Sequence, residues 1–258
     1  MPILTIAGED IFYSLCRAEA QRAFVLVHGA GGDHTHWPRA LRTSSLASVY
    51  GLDLPGHGQS GGTGRAGVEA YADFIQAFVN QLKLKQVAVF GHSMGGAVAL
   101  CLALRRPDWL EALVLVGTGA RLRVAPAILD AIIADPQTFL DLAPQYNFAP
   151  GAPESLVGRI RTGFAKTGSQ VIHGDFTACN RFDLMQDLHH INLPTLIISA
   201  TQDRLTPLKY GRYLHTHIPK SHLHIIENAG HMMALEKPAA FMAGVEAFFP
   251  VPMNKKLS

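Results

Sequence analysis

Short apolar runs recur along the chain, each followed by a glycine or polar loop and then by a stretch of helical period. Residues 23–27 (Ala-Phe-Val-Leu-Val), 86–90 (Gln-Val-Ala-Val-Phe) and 113–116 (Leu-Val-Leu-Val) are nearly continuous apolar runs, as are 47–52, 195–199 and 223–226. Runs of this kind are expected of strands covered on both faces. Between them, residues 68–84 place Ala72, Ile75, Phe78, Val79 and Leu82 at the spacing of one helix face. Residues 96–106 read as a helix stopped by Pro107, residues 208–217 as another, and Glu236-Lys237-Pro238 opens a last helix running through Phe249. A further helix is expected to start at Pro38. Ahead of all this, residues 3–6 and 11–15 flank Ala7-Gly8-Glu9-Asp10, which predicts a hairpin of edge strands. Strands and helices alternating in this way indicate an α/β fold with a mostly parallel sheet and helices on both faces.

The alternation stops at Gly117-Thr118-Gly119. From about residue 120 to 190 no strand-like run occurs, and residues 128–134, 138–143, 155–166 and 181–188 look helical, cut by Pro126, Pro136, Pro144 and Pro153. The chain therefore divides into a core, residues 1–119 and 191–258, and a helical cap inserted over 120–190. An insertion between two sheet strands is a candidate lid that excludes water and shapes a pocket. The tail 250–258 is expected to fray.

Composition narrows the class. Of 258 residues 48% are hydrophobic and 16% charged, which describes a folded chain and not a disordered one. The net charge is +2 and the one Lys/Arg run past the last helix is Lys255-Lys256, so neither nucleic acid nor an anionic membrane is an expected partner. The expected partner is a small-molecule substrate; oligomeric state is not written in the pattern. Cys16, Cys101 and Cys179 make no CxxC pair, and the N-terminal residues lack both a basic start and an apolar core. Those features predict reduced thiols, no signal peptide and a cytoplasmic protein.

The candidate chemistry lies where predicted strands end. Gly91-His92-Ser93-Met94-Gly95 sits between the 86–90 run and the 96–106 helix, the strand–turn–helix context of a nucleophile elbow. Ser93 is expected at positive φ, with Gly91 and Gly95 letting strand and helix approach. Read alone, the pentapeptide also fits a serine in an ordinary turn. Asp203 follows the 195–199 run and His231 follows the 223–226 run. In a parallel sheet these loops share one edge, and Ser, Asp, His is the chain order that follows such an elbow. In that reading His231 takes the Ser93 proton, Asp203 fixes the imidazole, and the main-chain N–H groups of Ala30 and Met94 hold the oxyanion. The first loop, His28-Gly29-Ala30-Gly31-Gly32, can aim N–H groups into a site or be a plain tight turn.

These motifs, together with Asp53-Leu54-Pro55-Gly56-His57-Gly58-Gln59-Ser60, Asp203-Arg204-Leu205-Thr206-Pro207 and Ala229-Gly230-His231, make the chain resemble the α/β-hydrolase superfamily over nearly its whole length. The resemblance implies an eight-stranded sheet, a cap after strand 6 and no cofactor or metal, and is nearest to compact serine esterases and cofactor-free haloperoxidase-like enzymes. A serine at the elbow departs from the epoxide hydrolases and haloalkane dehalogenases, which carry Asp there. The first loop lacks the Gly-Pro-Gly extension and later Asn of the carbon–carbon hydrolases. The expected activity is hydrolysis of small to medium uncharged carboxylic esters through an acyl-enzyme. The alternatives are perhydrolysis or carbon–carbon cleavage with the same triad, and ligand binding without catalysis.

Other residues bear on specificity or on decoys. Trp37, Phe139, Phe148, Phe164 and Met232 are candidates for an apolar substrate pocket, as are Met94 and Met233, and Cys179 could reach the site from the cap. Asp53, His57 and Ser60 are read as braces of the loop around the site, and His92 as packing behind the nucleophile. The His34/His36, His215/His217 and His222/His224 pairs lack a third ligand spaced with them, so no metal is expected. Gly62-Thr63-Gly64-Arg65-Ala66-Gly67 has the spacing of a dinucleotide fingerprint but no strand directly before it.

Overall fold

The apolar runs form an eight-stranded sheet in a computed structural model that describes residues 2–18 and 21–250. The strands are β1 (Ile3–Ile6), β2 (Glu9–Cys16), β3 (Arg22–Val27), β4 (Ser48–Leu52), β5 (Gln86–His92), β6 (Leu110–Val116), β7 (Thr195–Ala200) and β8 (Ser221–Ile226). They stand in the order β1-β2-β4-β3-β5-β6-β7-β8. The pairs from β4–β3 to β7–β8 are parallel, while β1–β2 and β2–β4 are antiparallel. Ala7 and Gly8 turn the first hairpin at φ 50° and 85°. Only β1 of that hairpin is an edge strand, since β2 also pairs with β4. The tail 251–258, expected to fray, lies outside the described residues.

Alternation along the strands feeds two cores. Val25, Val27, Val89, Leu113 and Leu115 face one side, where α2 (Val68–Gln81) and α3 (Met94–Arg105) add Phe78 and Val98. Phe24, Leu26, Phe90, Val114 and Ile198 face the other, where the short α1 (Arg39–Arg42) adds Leu41. The helices α4 (Pro126–Ala134), α5 (Pro136–Asn147), α6 (Glu154–Thr167) and α7 (Ser169–Arg181) lie between β6 and β7 and share a smaller core of Ile132, Phe148, Ile160, Phe164 and Ile172. After β7 come α8 (Leu208–His217), then β8, α9 (Met233–Glu236) and α10 (Pro238–Phe248). Among the described residues no helix is long and apolar enough to cross a membrane.

The inserted helices differ from the periodicity in one place. Of the stretch 181–188, Arg181 ends α7, Leu188 opens a 3₁₀ turn and residues 182–187 are not helical: Arg121 bridges Asp183 and Leu184 N–H donates to the Ala120 carbonyl, at 2.8 Å, fastening this stretch to the start of the insertion. The helix is α7 instead, just before it. Its sequence carries Gly174, Asp175 and several β-branched or polar residues, a weak intrinsic helix former. Burial of Ile172, Asp175, Ala178 and Cys179 holds it, and one of those is a charged residue that no apolar period would mark.

Candidate active site

β5 passes into α3 through Ser93, at φ 53° and ψ −115°. A non-glycine residue is strained there, and the turn is clamped from both sides. Ser93 N–H donates to the Val116 carbonyl (2.9 Å), and the Ser93 carbonyl accepts from Gly96 N–H (2.9 Å) and Thr118 Oγ1 (2.8 Å). A Cβ on Gly91 would overlap the Gly95 carbonyl, and one on Gly95 would overlap that of Val27. Strand and helix meet this closely only because both positions are glycine.

Asp203 and His231 converge from the loops after β7 and β8. Asp203 Oδ2 stands 2.9 Å from His231 Nδ1 and accepts from Thr206 Oγ1 at 2.7 Å; Oδ1 accepts from the N–H groups of Leu205 (2.9 Å) and Thr206 (2.8 Å). Burial opposes charge on Asp203, but the adjacent His231 and the Thr206 donors outweigh it and hold the carboxyl below the usual range. His92 Nε2–H donates to the His231 carbonyl (3.0 Å), and Met232 N–H donates to the Asn147 carbonyl (2.9 Å), so α5 helps to fix the histidine loop. Ser93 and His231 open onto the same cavity. Among the described residues no hydrogen bond joins their side chains.

The first loop completes this edge of the sheet. Gly29 passes so near the elbow that a Cβ there would stand 3.1 Å from Ser93 Cβ. The N–H groups of Ala30 and Met94 have no intramolecular partner among the described residues, and Met94 begins α3, where the helix dipole favours an anion. The cavity encloses about 340 Å³. Ala30, Ser93 and His231 form its floor, and the inserted helices supply its walls through residues such as Ile128, Phe139, Leu142, Tyr146, Phe164 and Phe176. Of the pocket candidates, Phe139, Phe164 and Met232 line it, as does Cys179, whose thiol burial pushes up out of the reactive range.

Four candidates are elsewhere. Trp37 is 1% exposed and packs against Phe90, Phe241 and His92 beneath the loop. Its neighbour His36 takes the cavity position, because the 3₁₀ turn at His34–His36 sends the two side chains apart. Phe148 belongs to the core of the inserted helices; its backbone, not its ring, reaches the site, where Gly230 packs against it. Met94 and Met233 are buried in the two sheet cores. Residues that sequence reasoning passed over include Thr206, Tyr210, Leu142, Tyr146 and His36 on the cavity wall. Thr206, three residues past Asp203, had a local signal, since a short hydroxyl there can cap the carboxylate.

His34, Asp53 and Ser60 tie together the loops beside the site. His34 does not act with His36: its N–H and Nδ1 both meet Asp53 Oδ1, at 2.7 and 2.8 Å, and Asp53 Oδ2 accepts from Gln59 N–H. Asp33, His34 and Asp53 do bring ligand atoms within 4.8 Å of one another, a grouping the i, i+2 spacing did not indicate. Both oxygens of Asp53 and Oδ1 of Asp33 are already engaged by N–H and hydroxyl donors. Ser60 Oγ donates to the Asp53 carbonyl (2.6 Å) and accepts from Phe12 N–H (2.9 Å), tying that loop to β2. The glycine-rich stretch 62–67 packs against Glu9 and Val171, and Arg65 pairs with Glu9.

Buried neutral histidines give the fold a pH signature. Burial lowers His92 to about 3 and His36 to about 4, from an ordinary value near 6.5. Between those limits the unfolded chain binds protons that the native state refuses, so stability falls as pH falls. The urea midpoint is expected to drop between about pH 7 and pH 5 by the equivalent of about 2–4 kcal/mol. Replacing His36 by Gln should flatten that dependence; an unchanged slope would count against it.

The alpha/beta hydrolase family model matches residues 24–244. A pimeloyl-(acyl-carrier protein) methyl ester esterase of Neisseria meningitidis serogroup C is 30% identical over 243 residues, covering 87% of this chain and 92% of that protein. A solved thermophilic esterase is 37% identical with a TM-score of 0.84, covering 96% of both chains. An enol-lactonase from Burkholderia xenovorans has a TM-score of 0.89 at 24% identity, over 96% of this chain and 99% of that one, a likeness of fold.

Proposed function

The chain belongs to the alpha/beta hydrolase family, and from that premise we propose that it hydrolyses carboxylic esters through an acyl-enzyme on Ser93. The observation that carries this reading is that His231, with Nδ1 2.9 Å from Asp203 Oδ2, opens with Ser93 onto one cavity beside the loop of Gly29 and Ala30. His231 Nδ1–H is committed to Asp203, which leaves Nε2 as the base. Nε2 takes the Ser93 proton as Oγ attacks the ester carbonyl, and the N–H groups of Ala30 and Met94 hold the oxyanion. As the carbonyl reforms, the proton passes to the departing alkoxide. A water, deprotonated by the same nitrogen, then attacks the acyl carbonyl and releases the acid and Ser93.

The substrate is a small to medium uncharged ester. A cavity of about 340 Å³ is at the small end of ligand pockets, which run from about 300 to 1,000 Å³. Its inserted-helix walls are mostly apolar, and Ile128, Leu142 and Tyr146 carry that surface out to solvent. Residues 120–190 act in this reading as a cap over the core formed by 1–119 and 191–258. Names of the similar proteins, an acyl-carrier methyl ester esterase and a thermophilic esterase, are in keeping with ester chemistry.

The test is a panel of esters of increasing acyl length read as kcat/KM, with perhydrolysis and diketone cleavage assayed on the same preparation. Short and medium uncharged acyl esters are expected to turn over fastest; failure to turn over any of them would sink the proposal. Phe139→Ala, which removes a cavity wall, is expected to shift kcat/KM toward longer acyl groups by about tenfold. An unshifted profile would place the acyl group away from that wall.

A further inference from the structure

Beneath the oxyanion loop lies a buried cluster that the proposed reaction leaves unused. Asp175, on α7, is fully buried. Its Oδ2 accepts from Gly31 N–H (2.8 Å) and meets His57 Nε2 (2.8 Å), and its Oδ1 accepts from the Tyr71 hydroxyl (2.6 Å). The other His57 nitrogen, Nδ1, stands 3.0 Å from the Pro55 carbonyl. Both partners of the imidazole are acceptors, so both of its nitrogens must donate. His57 is therefore an imidazolium paired with the Asp175 carboxylate. Three donors on one carboxylate satisfy it in a place where an unpaired charge would be prohibitive.

The geometry reaches the reaction through Gly31. Its N–H belongs to the peptide that joins it to Ala30, the residue offered as the first oxyanion donor. Holding that peptide plane from α7 constrains the neighbouring Gly29–Ala30 peptide, which carries the Ala30 N–H and shares Ala30 Cα with it. Gly31 is at φ 66°, and its carbonyl accepts from Thr167 Oγ1 (3.0 Å) at the end of α6, so the inserted helices grip it from both ends. We propose that Asp175, charged and paired with His57, is a positioning residue that aims the Ala30 N–H at the reacting carbonyl. Helix α7 thereby couples the inserted helices to the reaction as well as to substrate shape. This rests on the ester-hydrolase reading above.

The coupling carries its own pH dependence. Burial works against charge on His57, but the Asp175 carboxylate and its hydrogen bond more than offset it and raise the imidazole above its ordinary range. The groups facing the pair are His28 and His36 from the first loop, Asp53 from the loop after β4, Arg65 and Tyr71 at α2, and Cys179 on α7. His28 is neutral: Nδ1–H donates to the Gly29 carbonyl (2.8 Å) and Nε2 accepts from Leu54 N–H (3.1 Å). A raised histidine keeps its pair intact at lower pH and loses it as pH climbs through the raised value. Aiming of the Ala30 N–H should fail on the alkaline side.

The experiment measures kcat and KM for one short ester from about pH 6 to pH 10 in the wild type, Asp175→Asn and His57→Gln, with folding checked by circular dichroism. In folded Asp175→Asn, kcat is expected to fall by about ten- to a hundredfold with KM changed less than about threefold, the size of a misaimed donor. The wild type should lose kcat on the alkaline side, and in His57→Gln that loss should vanish. A merely structural role would lower melting temperature without removing an alkaline limb from kcat. A kcat within about threefold of wild type in folded Asp175→Asn overturns the proposal, as does an alkaline limb that persists in His57→Gln. Should Asp175→Asn not fold, His57→Gln decides; should neither fold, a wild-type kcat flat into alkaline pH overturns it. Turnover that survives Ser93→Ala is a different failure, of the ester-hydrolase reading itself.

Discussion

Replacing Ser93 by alanine is expected to lower kcat/KM for a short acyl ester by about 10⁴–10⁶-fold while leaving the fold in place. The size follows from the role assigned to the hydroxyl, since no covalent intermediate forms without it and only the oxyanion donors and the cavity remain. Structure is expected to survive because Ser93 Oγ holds no hydrogen bond among the described residues. The main-chain bonds from Ser93 to Val116, Gly96 and Thr118 do not involve the side chain. Alanine at φ 53° carries the same backbone strain as serine, so stability should change by less than about 0.5 kcal/mol. Steady-state kinetics, labelling by a fluorophosphonate probe and a thermal melt together check this. Loss of labelling with an unchanged melt is the expected pair of results. A variant that keeps more than about a hundredth of the activity would remove Ser93 from the reaction.

How far the sequence led to this site depended on whether each signal was local. The sheet was legible because alternation and apolar runs are properties of five or six neighbours, and β3, β5, β6 and β7 lie where those runs fall. The elbow was legible for a similar reason: Gly91 and Gly95 stand at fixed offsets from Ser93 because the backbone contacts that forbid a Cβ are short-range. The cavity walls were legible only in part, through Phe139, Phe164 and Met232. Trp37 and His36 are adjacent, and only the 3₁₀ turn at His34–His36 decides that the histidine faces the cavity and the indole the core. Helix α7 was missed because its helical state depends on partners far away in sequence, with Asp175 bonded to Gly31, His57 and Tyr71. Periodicity records apolar burial; it does not register a buried charge whose partners lie on three other segments. The same blindness hid Asp175 as a site residue, while His57 was visible only as a member of its loop.

The second large effect is expected from Asp203→Asn, a change of one oxygen for an NH₂ group that should cost about 10⁴-fold in kcat. The reason lies in what surrounds the carboxylate. Oδ1 accepts from two main-chain N–H groups, those of Leu205 and Thr206. An asparagine must therefore turn its carbonyl oxygen to that side, because an NH₂ there would face two donors. Its NH₂ then occupies the Oδ2 position, 2.9 Å from His231 Nδ1. A donor at that point forces Nδ1 to accept, and the single proton of the neutral imidazole moves to Nε2, the nitrogen that the proposed reaction needs bare to take the Ser93 proton. The protein would remain folded, with its cavity and oxyanion donors unaltered, yet hold its base in the wrong tautomer. KM for a short ester should move little, since neither Asp203 nor Nδ1 touches substrate in this arrangement. Imidazole proton resonances should report the tautomer directly, with the Nδ1–H signal present in the wild type and missing in the variant. If Asp203→Asn retained kcat within about tenfold, the tautomer would be set elsewhere. Thr206 Oγ1, 3.2 Å from His231 Nδ1, is the group to test next.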